Sequence, residues 1–459
     1  MAVLLDSWFV LRTQAPVVLI VLAFILWGFV IVARGLRPLL PADSGRFLVF
    51  PLAMAGWSLP VLLLALLLFA AALLLHVDPG LPMMAAWLAL IVGWGVWALS
   101  GWRRPLPRLA LAAGPLVGLF VVFLILRLAF IARTPLPLYF DSAEHYRIIR
   151  QLLDDYLRAP PLASIDFPVQ NYYHVGYHLM VALMAAVSRL NLSQLMQVSG
   201  VLVLAALPFP LYVIPFQETG SRLAGLFAVL VGAIGWYVPA YVLNWGKYPA
   251  LFGFALVLFT LDVAYLAHVA LEGGHARLAL GVWALIAAGV AVVVHTRAAI
   301  LIAIGLASWW LSGRAAVRPP IQRALLIALS LALLSGVLVL LTQTGLLAIV
   351  LDPYLYGGLG ASCLVALLSL AAFWGFPRIA ITAVLTILFM CLGLLIRVPG
   401  FAATPLRDRP LVEMVLFAPL SIVGGVGFAA VMRPTTRLGQ AFDRRFFVVF
   451  PAFWSPCGV

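Results

Sequence analysis

The chain has 459 residues, of which 65% are hydrophobic and 9% are charged, and its mean hydropathy is +1.15. Because soluble domains carry about 25% charged residues, this composition excludes a soluble enzyme or a soluble binding module. The net charge of +13 comes from short arginine clusters between apolar runs, which is typical of cytoplasmic loops and argues against a nucleic-acid partner. The three cysteines lack CxxC spacing and predict neither a disulfide framework nor a thiolate metal site.

Apolar runs of at least about 18 residues recur along the chain, and each is long enough to cross a hydrocarbon core of about 30 Å. We therefore predict an all-α fold, a polytopic transmembrane helical bundle of about 12–14 spans. The first run, residues 15–33, is followed by Arg34 and Arg37 instead of a small-residue cleavage site, which predicts a retained span.

The basic clusters orient these helices. Clusters after spans one and three predict cytoplasmic loops, so span four, at residues 109–132, leads outward. The polar segment that follows, residues 133–174, is then an outer loop with amphipathic juxtamembrane helices. Counting the spans forward from the polar segment and backward from a later basic loop places residues 244–248 on opposite sides of the membrane. The two counts agree if the short run 175–189 is re-entrant or interfacial.

A polar island at residues 134–178 holds five of the 15 acidic residues and three of the seven histidines. Beyond Pro137, apolar residues at helical spacing with charges between them predict an amphipathic helix along the outer membrane surface. Asp141 and Glu144 lie three residues apart at the start of this helix and share one face. Two carboxylates so placed suit a metal ion, a general base or a simple capping box.

The island ends in His174-Val-Gly-Tyr-His178, which enters the next apolar run. Histidines four residues apart share a helical face, but the HExxH pattern is absent and no third metal ligand is evident. Contact with sugar or phosphate is favoured over metal ligation, and anchoring at the membrane interface is the remaining alternative. Further along, residues 281–311 form a run that is long for one crossing and compatible with two short helices turning at residues 295–297.

Together these segments resemble the GT-C superfamily of glycosyltransferases that depend on polyprenyl-phosphate sugars. An outward-leading helix is followed by an acidic pair, an amphipathic helix and a Tyr/His segment that enters the next span. The polar breaks at residues 244–249 and 295–297 look like those that such enzymes place around the active-site cavity. The resemblance covers residues 110–315. It departs from the family in having four spans before the loop instead of one, and an Asp-x-x-Glu pair instead of adjacent acids or DxD.

The resemblance implies a membrane glycosyltransferase whose essential acidic residue lies in the first outer loop, the place that Asp141 takes here with Glu144 as its neighbour. The implied partners are a polyprenyl-phosphate-sugar donor, a glycan, lipid or protein acceptor, and membrane lipid. The active site would lie on the extracytoplasmic side of the plasma membrane. A divalent cation, Mg²⁺ or Mn²⁺, is a candidate cofactor, and no residue is assigned as a metal ligand.

Sugar transfer from a lipid phosphate needs a base for the acceptor and positive charge for the departing phosphate. Asp141 is the predicted general base. Lys247 is the only lysine in the chain, and it is either a phosphate ligand or a snorkelling interfacial residue. The other residues assigned to substrate binding are polar or aromatic members of the same segments and of a later outer loop: His145, Arg147, Asp166, Tyr173, His174, His178, Trp245, His295, Arg297 and Arg407.

Three parts of the chain follow from these assignments. Residues 1–108 hold extra N-terminal transmembrane helices, residues 109–315 the GT-C-like catalytic core, and residues 316–459 further transmembrane helices, the last expected to be incomplete. A transporter or flippase of a lipid-linked or anionic substrate is the main alternative. It is less favoured because transporters place their binding sites near mid-membrane and contain repeats, whereas the acids here gather in one outer loop.

Overall fold

The computed structural model describes residues 1–75, 92–93, 95–96, 106–132, 140–154, 174–269, 274–316, 320–395 and 409–433. Every element longer than a short turn in these ranges is a helix, as the composition predicts. The helices in chain order are α1 (Ala2–Thr13), α2 (Ala15–Leu36), α3 (Ala42–Gly56), α4 (Ser58–Leu75), α5 (Leu106–Ala132), α6 (Phe140–Leu152), α7 (Gly176–Ser188), α8 (Leu192–Ala206), α9 (Val213–Thr219), α10 (Arg222–Ile234), α11 (Ala240–Asn244), α12 (Tyr248–Val269), α13 (Gly274–Val294), α14 (Ala298–Ala316), α15 (Pro320–Gln343), α16 (Leu346–Leu355), α17 (Leu359–Gly375), α18 (Pro377–Leu395), α19 (Arg409–Val415) and α20 (Phe417–Val431).

Nine helices in the described ranges are long and apolar enough to cross a membrane, or up to 11 if each of two bent pairs forms one span. The protein is therefore a polytopic helical membrane protein. The expected 12–14 spans refer to the whole chain, and the apolar stretch between α4 and α5 lies mostly outside the described residues.

The chain forms two compact units, Met1–Pro210 with Ala240–Ala299, and Leu211–Pro239 with Ile300–Val459. In the second unit, α20 packs against α10 and α17, with the Phe227 and Phe428 rings stacked 4.8 Å apart. Of the assigned site residues only Arg407 belongs to this unit, and it lies outside the described residues. The three-part division drawn from the sequence remains a prediction.

The short run at residues 175–189, which made the two span counts disagree, forms α7 inside the first unit. Its 13 residues rise about 20 Å, which is less than the thickness of a hydrocarbon core. Residues Gly176–Ala186 are all buried, and the helix packs against α4, α6 and α8. A helix of this length is too short for a complete crossing, and its re-entrant or interfacial position stays a prediction.

The predicted amphipathic helix is α6, but its apolar face does not meet lipid. Ile148, Ile149 and Leu152 are each at most 2% exposed, and α6 packs on α7 and α8. The periodicity predicted the helix and its apolar face correctly. It could not predict that the face is covered by protein, because burial against a helix and burial in a bilayer need the same residues.

The long run at residues 281–311 is broken where its polar residues predict. Helix α13 ends at Val294 and α14 begins at Ala298, so residues 295–297 form the turn. The expectation of short helices was wrong, because they have 21 and 19 residues. The first of them begins at Gly274, upstream of the apolar run, since its first turn tolerates polar residues.

Small residues let the helices of the first unit approach closely. The bent α3–α4 pair breaks at Trp57, and Gly28 of α2 lies directly against the carbonyl group of Trp57. A Cβ atom at Gly28 would overlap that backbone oxygen, which cannot move without moving α4. Association of membrane helices relies on such close packing, because lipid tails are as apolar as leucine.

We expect Gly28→Ala to lower the thermal stability of the detergent-solubilised protein, by about 1–3 kcal/mol of unfolding free energy. Gly281→Ala is the matched control, since a Cβ atom there meets nothing within 4 Å and alanine favours a helix. Equal melting temperatures for the two variants would contradict the close α2–α4 contact.

Candidate functional site

The candidate site is centred on an ion pair between the predicted base and the only lysine. Lys247 Nζ donates to Asp141 Oδ2 over 2.6 Å, and the two residues are 106 positions apart in the sequence. The Asp141 side chain is 34% exposed and that of Lys247 27% exposed. Both groups are thus held by the fold and still open to a ligand.

A glycine turn brings Lys247 to Asp141. Gly246 lies between α11 and α12 with φ +65°, a conformation that L side chains rarely adopt. A Cβ atom at this position would overlap the hydroxyl of Ser142, the residue that follows Asp141. Only glycine satisfies both requirements, so the turn can lie flat against the start of α6.

Both residues of the ion pair lie at helix N-termini, which favour negative charge. The Lys247 carbonyl accepts a hydrogen bond from Leu251 N over 3.1 Å, which places Lys247 at the N-terminus of the 22-residue α12. A cation is unfavourable there by about 0.3–1 kcal/mol, whereas Asp141 in the first turn of α6 is favourable. The Asp141 carboxylate compensates the lysine, and an anionic ligand would do the same.

Glu144 does not share the environment of Asp141. It accepts hydrogen bonds from Arg147 Nη2 over 2.6 Å and Arg147 Nε over 3.0 Å. These hydrogen bonds hold the pKa of Glu144 below its usual value. Each carboxylate therefore contacts its own basic side chain, and the shared catalytic role of Glu144 remains a prediction.

Four histidines lie close together, and one of them, His145, belongs to the same helix as Asp141. His145 Nδ1 and His178 Nε2 are 3.0 Å apart, and His178 Nδ1 lies 3.0 Å from the His174 carbonyl oxygen. The rings of His174 and His295 are 4.5 Å apart. His145, His178 and His295 are buried. The structure thus gathers the island histidines and the His295 turn into one cluster.

The expected common helical face of His174 and His178, on which the less favoured metal alternative depended, does not form. Helix α7 begins at Gly176, so His174 precedes it and does not share a helical face with His178. Both ring nitrogens of His178 are within hydrogen-bond distance of other groups. In the described ranges no group of three or more His, Cys, Asp or Glu side chains could hold a metal ion.

Burial keeps these histidines neutral. It lowers the pKa of His145 to about 4, against the opposing effect of the Asp141 charge. Burial also lowers the pKa of His174 to about 4, and the charge of Arg297 adds to this effect. At neutral pH the site therefore contains uncharged imidazoles beside the Asp141–Lys247 ion pair, and Arg297 lies near His174.

Two glycines position the His295 turn. A Cβ atom at Gly176 would meet Val294, and one at Gly253 of α12 would meet the His295 side chain. The start of α7 and the middle of α12 can therefore both approach the end of α13. This approach places His295 and Arg297 beside His174, although more than 100 residues separate the segments in sequence.

Two tyrosines of the site were not selected from the sequence. Tyr177 and Tyr248 stack with centroids 5.9 Å apart and an interplanar angle of 14°, and both are at most 1% exposed. Each ring also lies edge-on to His145. The sequence offered one signal for them, because Tyr177 directly precedes His178 and Tyr248 directly follows Lys247.

The remaining assigned residues are more distant or outside the described ranges. Trp245 packs edge-on against Tyr241, at 5.3 Å between ring centroids. Asp166, Tyr173 and Arg407 lie outside the described residues. What the described residues offer is a carboxylate, a primary ammonium group and neutral imidazoles at the meeting point of α6, α7, α12 and α13.

We expect Gly246→Ala to lower the melting temperature and to displace Lys247 from Asp141. Adding Ser142→Ala should recover the part of the loss that comes from overlap with the hydroxyl. It should not recover the cost of the left-handed backbone, about 1–2 kcal/mol. Melting curves of both single variants and the double variant measure this coupling. Strictly additive effects would show that the Gly246–Ser142 contact does not position the turn.

Stability should fall as the pH is lowered from 6.5 to about 4. In this window the unfolded chain binds protons at His145 and His174 and the native protein does not, so each histidine contributes a slope of about 1.4 kcal/mol per pH unit. Melting temperatures measured across this range should show a shallower slope for His145→Gln. The exposed His275 provides the control, and His275→Gln should keep the full slope.

No protein-family model matches this chain, and searches of curated proteins and of solved structures likewise give no match. The functional assignment therefore rests on the chemistry and geometry of the site.

Proposed function

We propose that the protein is a membrane glycosyltransferase that moves a sugar from a polyprenyl-phosphate donor to an acceptor hydroxyl, with Asp141 as the general base. The observation that carries this proposal is the contact of 2.6 Å between Asp141 and Lys247. These are the two groups that the reaction needs, an acceptor for a proton and a cation for a phosphate. The rest of the site adds neutral hydrogen-bonding groups around them.

The reaction uses the pair in two ways. The acceptor oxygen attacks the anomeric carbon, the bond from that carbon to the phosphate oxygen breaks, and polyprenyl phosphate leaves with the electron pair. Asp141 takes the proton of the acceptor hydroxyl. Lys247 neutralises the charge that grows on the leaving phosphate, as an ammonium group does at other phosphate sites.

Donor binding separates the two partners. A phosphate at Lys247 competes with Asp141 for the ammonium group and is also favoured by the N-terminus of α12. Arg297 supplies a second positive charge close to His174. Once Lys247 binds the phosphate, the Asp141 carboxylate is available to the acceptor. The resting ion pair thus keeps both groups in place before substrate arrives.

The side of the membrane on which the site would lie is inferred from the arginine distribution. Cytoplasmic loops collect arginine, which puts the start of α6 on the extracytoplasmic side of the plasma membrane. A polyprenyl carrier would reach the site through surrounding lipid, and the acceptor is a glycan, a lipid or a protein. A divalent cation remains a candidate cofactor.

The test is sugar transfer by the purified protein in liposomes with a panel of polyprenyl-phosphate hexoses and pentoses. Released polyprenyl phosphate is measured because every such donor yields it. Asp141→Asn should lower this release at least about 100-fold. The fold should survive, because a partly exposed ion pair contributes only about 0.2–1 kcal/mol.

Asp154→Asn is the matched control, since Asp154 also pairs with a basic residue, Arg150 at 2.7 Å, just past the end of α6. It should keep full activity. Lys247→Met should raise the KM for the donor. Lys247→Arg keeps the positive charge and should give a KM between those of the wild type and Lys247→Met. If the wild-type protein released no polyprenyl phosphate from any donor and instead moved the intact donor between leaflets, it would be a flippase and the proposal would fail.

A further inference from the structure

A chain of hydrogen bonds leads from the backbone through His178 to His145. The His174 carbonyl oxygen can only accept, so His178 Nδ1, 3.0 Å away, must donate a proton to it. In a neutral imidazole one nitrogen carries hydrogen and the other carries a lone pair. Neutral His178 therefore presents a lone pair at Nε2.

The same logic sets the proton on His145. Its Nδ1 lies 3.0 Å from His178 Nε2, so Nδ1 must carry the hydrogen. Neutral His145 then has its lone pair at Nε2, on the ring edge opposite His178. The backbone of one residue fixes the tautomers of two buried side chains.

We propose that His178 is a positioning residue, which holds His145 in the Nδ1–H tautomer so that His145 Nε2 is a second proton acceptor beside Asp141. A helical side chain leans toward the preceding turn, which for His145 is the turn that carries Asp141. The assignment of the tautomer stands on the two hydrogen bonds alone, and its role in catalysis rests on the proposed function.

Burial opposes a proton on His145, and two nearby carboxylates favour one. The carboxylates of Asp141 and Glu144 belong to its own helix, and the Lys247 ammonium comes from the start of α12. His174 and His178 lie on or before α7. The rings of Tyr177 and Tyr248 pack edge-on against it. The sequence of α8, the other helix packed on α6, carries no titratable residue.

During transfer the proton has a defined place at each step. Asp141 takes it from the acceptor hydroxyl, and it passes to His145 Nε2, which regenerates the carboxylate. The imidazolium formed keeps its Nδ1–H bond to His178, so no hydrogen bond is lost. The proton leaves to water with the product, and the site returns to its resting state.

Nitrogen-15 NMR of the full-length, histidine-labelled protein in nanodiscs tests the tautomer without any substrate. His145 ring signals are assigned by their loss in His145→Gln. The wild-type protein should show a protonated Nδ1 and an unprotonated Nε2. His178→Leu removes the acceptor and should release His145 to the Nε2–H form, whereas His178→Gln keeps a carbonyl acceptor and should retain the wild-type form.

An Nε2–H tautomer for His145 in the wild-type protein, or an unchanged tautomer in His178→Leu, would overturn the assignment. In the transfer assay His178→Leu should lower kcat at least about tenfold with little change in KM, and His178→Gln should restore it. Full kcat for His178→Leu would overturn the catalytic role. A confirmed tautomer in a protein that transfers no sugar would instead refute the proposed function and leave the assignment intact.

Discussion

The contact between Asp141 and Lys247 is the interaction on which the site depends. It joins the N-terminal ends of two helices, and each end favours negative charge, so one carboxylate compensates both the lysine and the α12 dipole. A partly exposed pair adds little to the free energy of folding. Its value is positional, because it keeps a carboxylate and an ammonium group adjacent while leaving both partly exposed.

The neutral histidines determine the chemistry around this pair. Burial makes charged imidazoles unfavourable, so His145 and His174 lie in the site without adding charge to it. Neutral imidazoles leave the positive charge to Lys247 and Arg297. Hydrogen bonds hold the rings of His145 and His178 in one orientation.

Glycines allow the segments that carry the site residues to come into contact. Gly246 forms the left-handed turn before Lys247, and Gly176 and Gly253 let α7 and α12 pack against the end of α13. A Cβ atom at any of these positions would come too close to the neighbouring segment, so the segments would have to shift apart. The polar groups are thus placed by the absence of side chains at neighbouring positions, as is common where membrane helices pack closely.

The sequence by itself determined the membrane class, the amphipathic α6 and the helix break after Val294, and it singled out Asp141 and Lys247 as candidate site residues. Hydropathy, periodicity and the rarity of charge are local properties, so they can be read without coordinates. Only the tertiary structure decided that Asp141 forms an ion pair with Lys247 while Glu144 contacts Arg147. It also decided that the ring of His178 lies within hydrogen-bond distance of His145. The Asp141–Lys247 and His145–His178 contacts join segments more than 30 residues apart in sequence, and their geometry depends on glycine turns and helix packing, which no local pattern encodes.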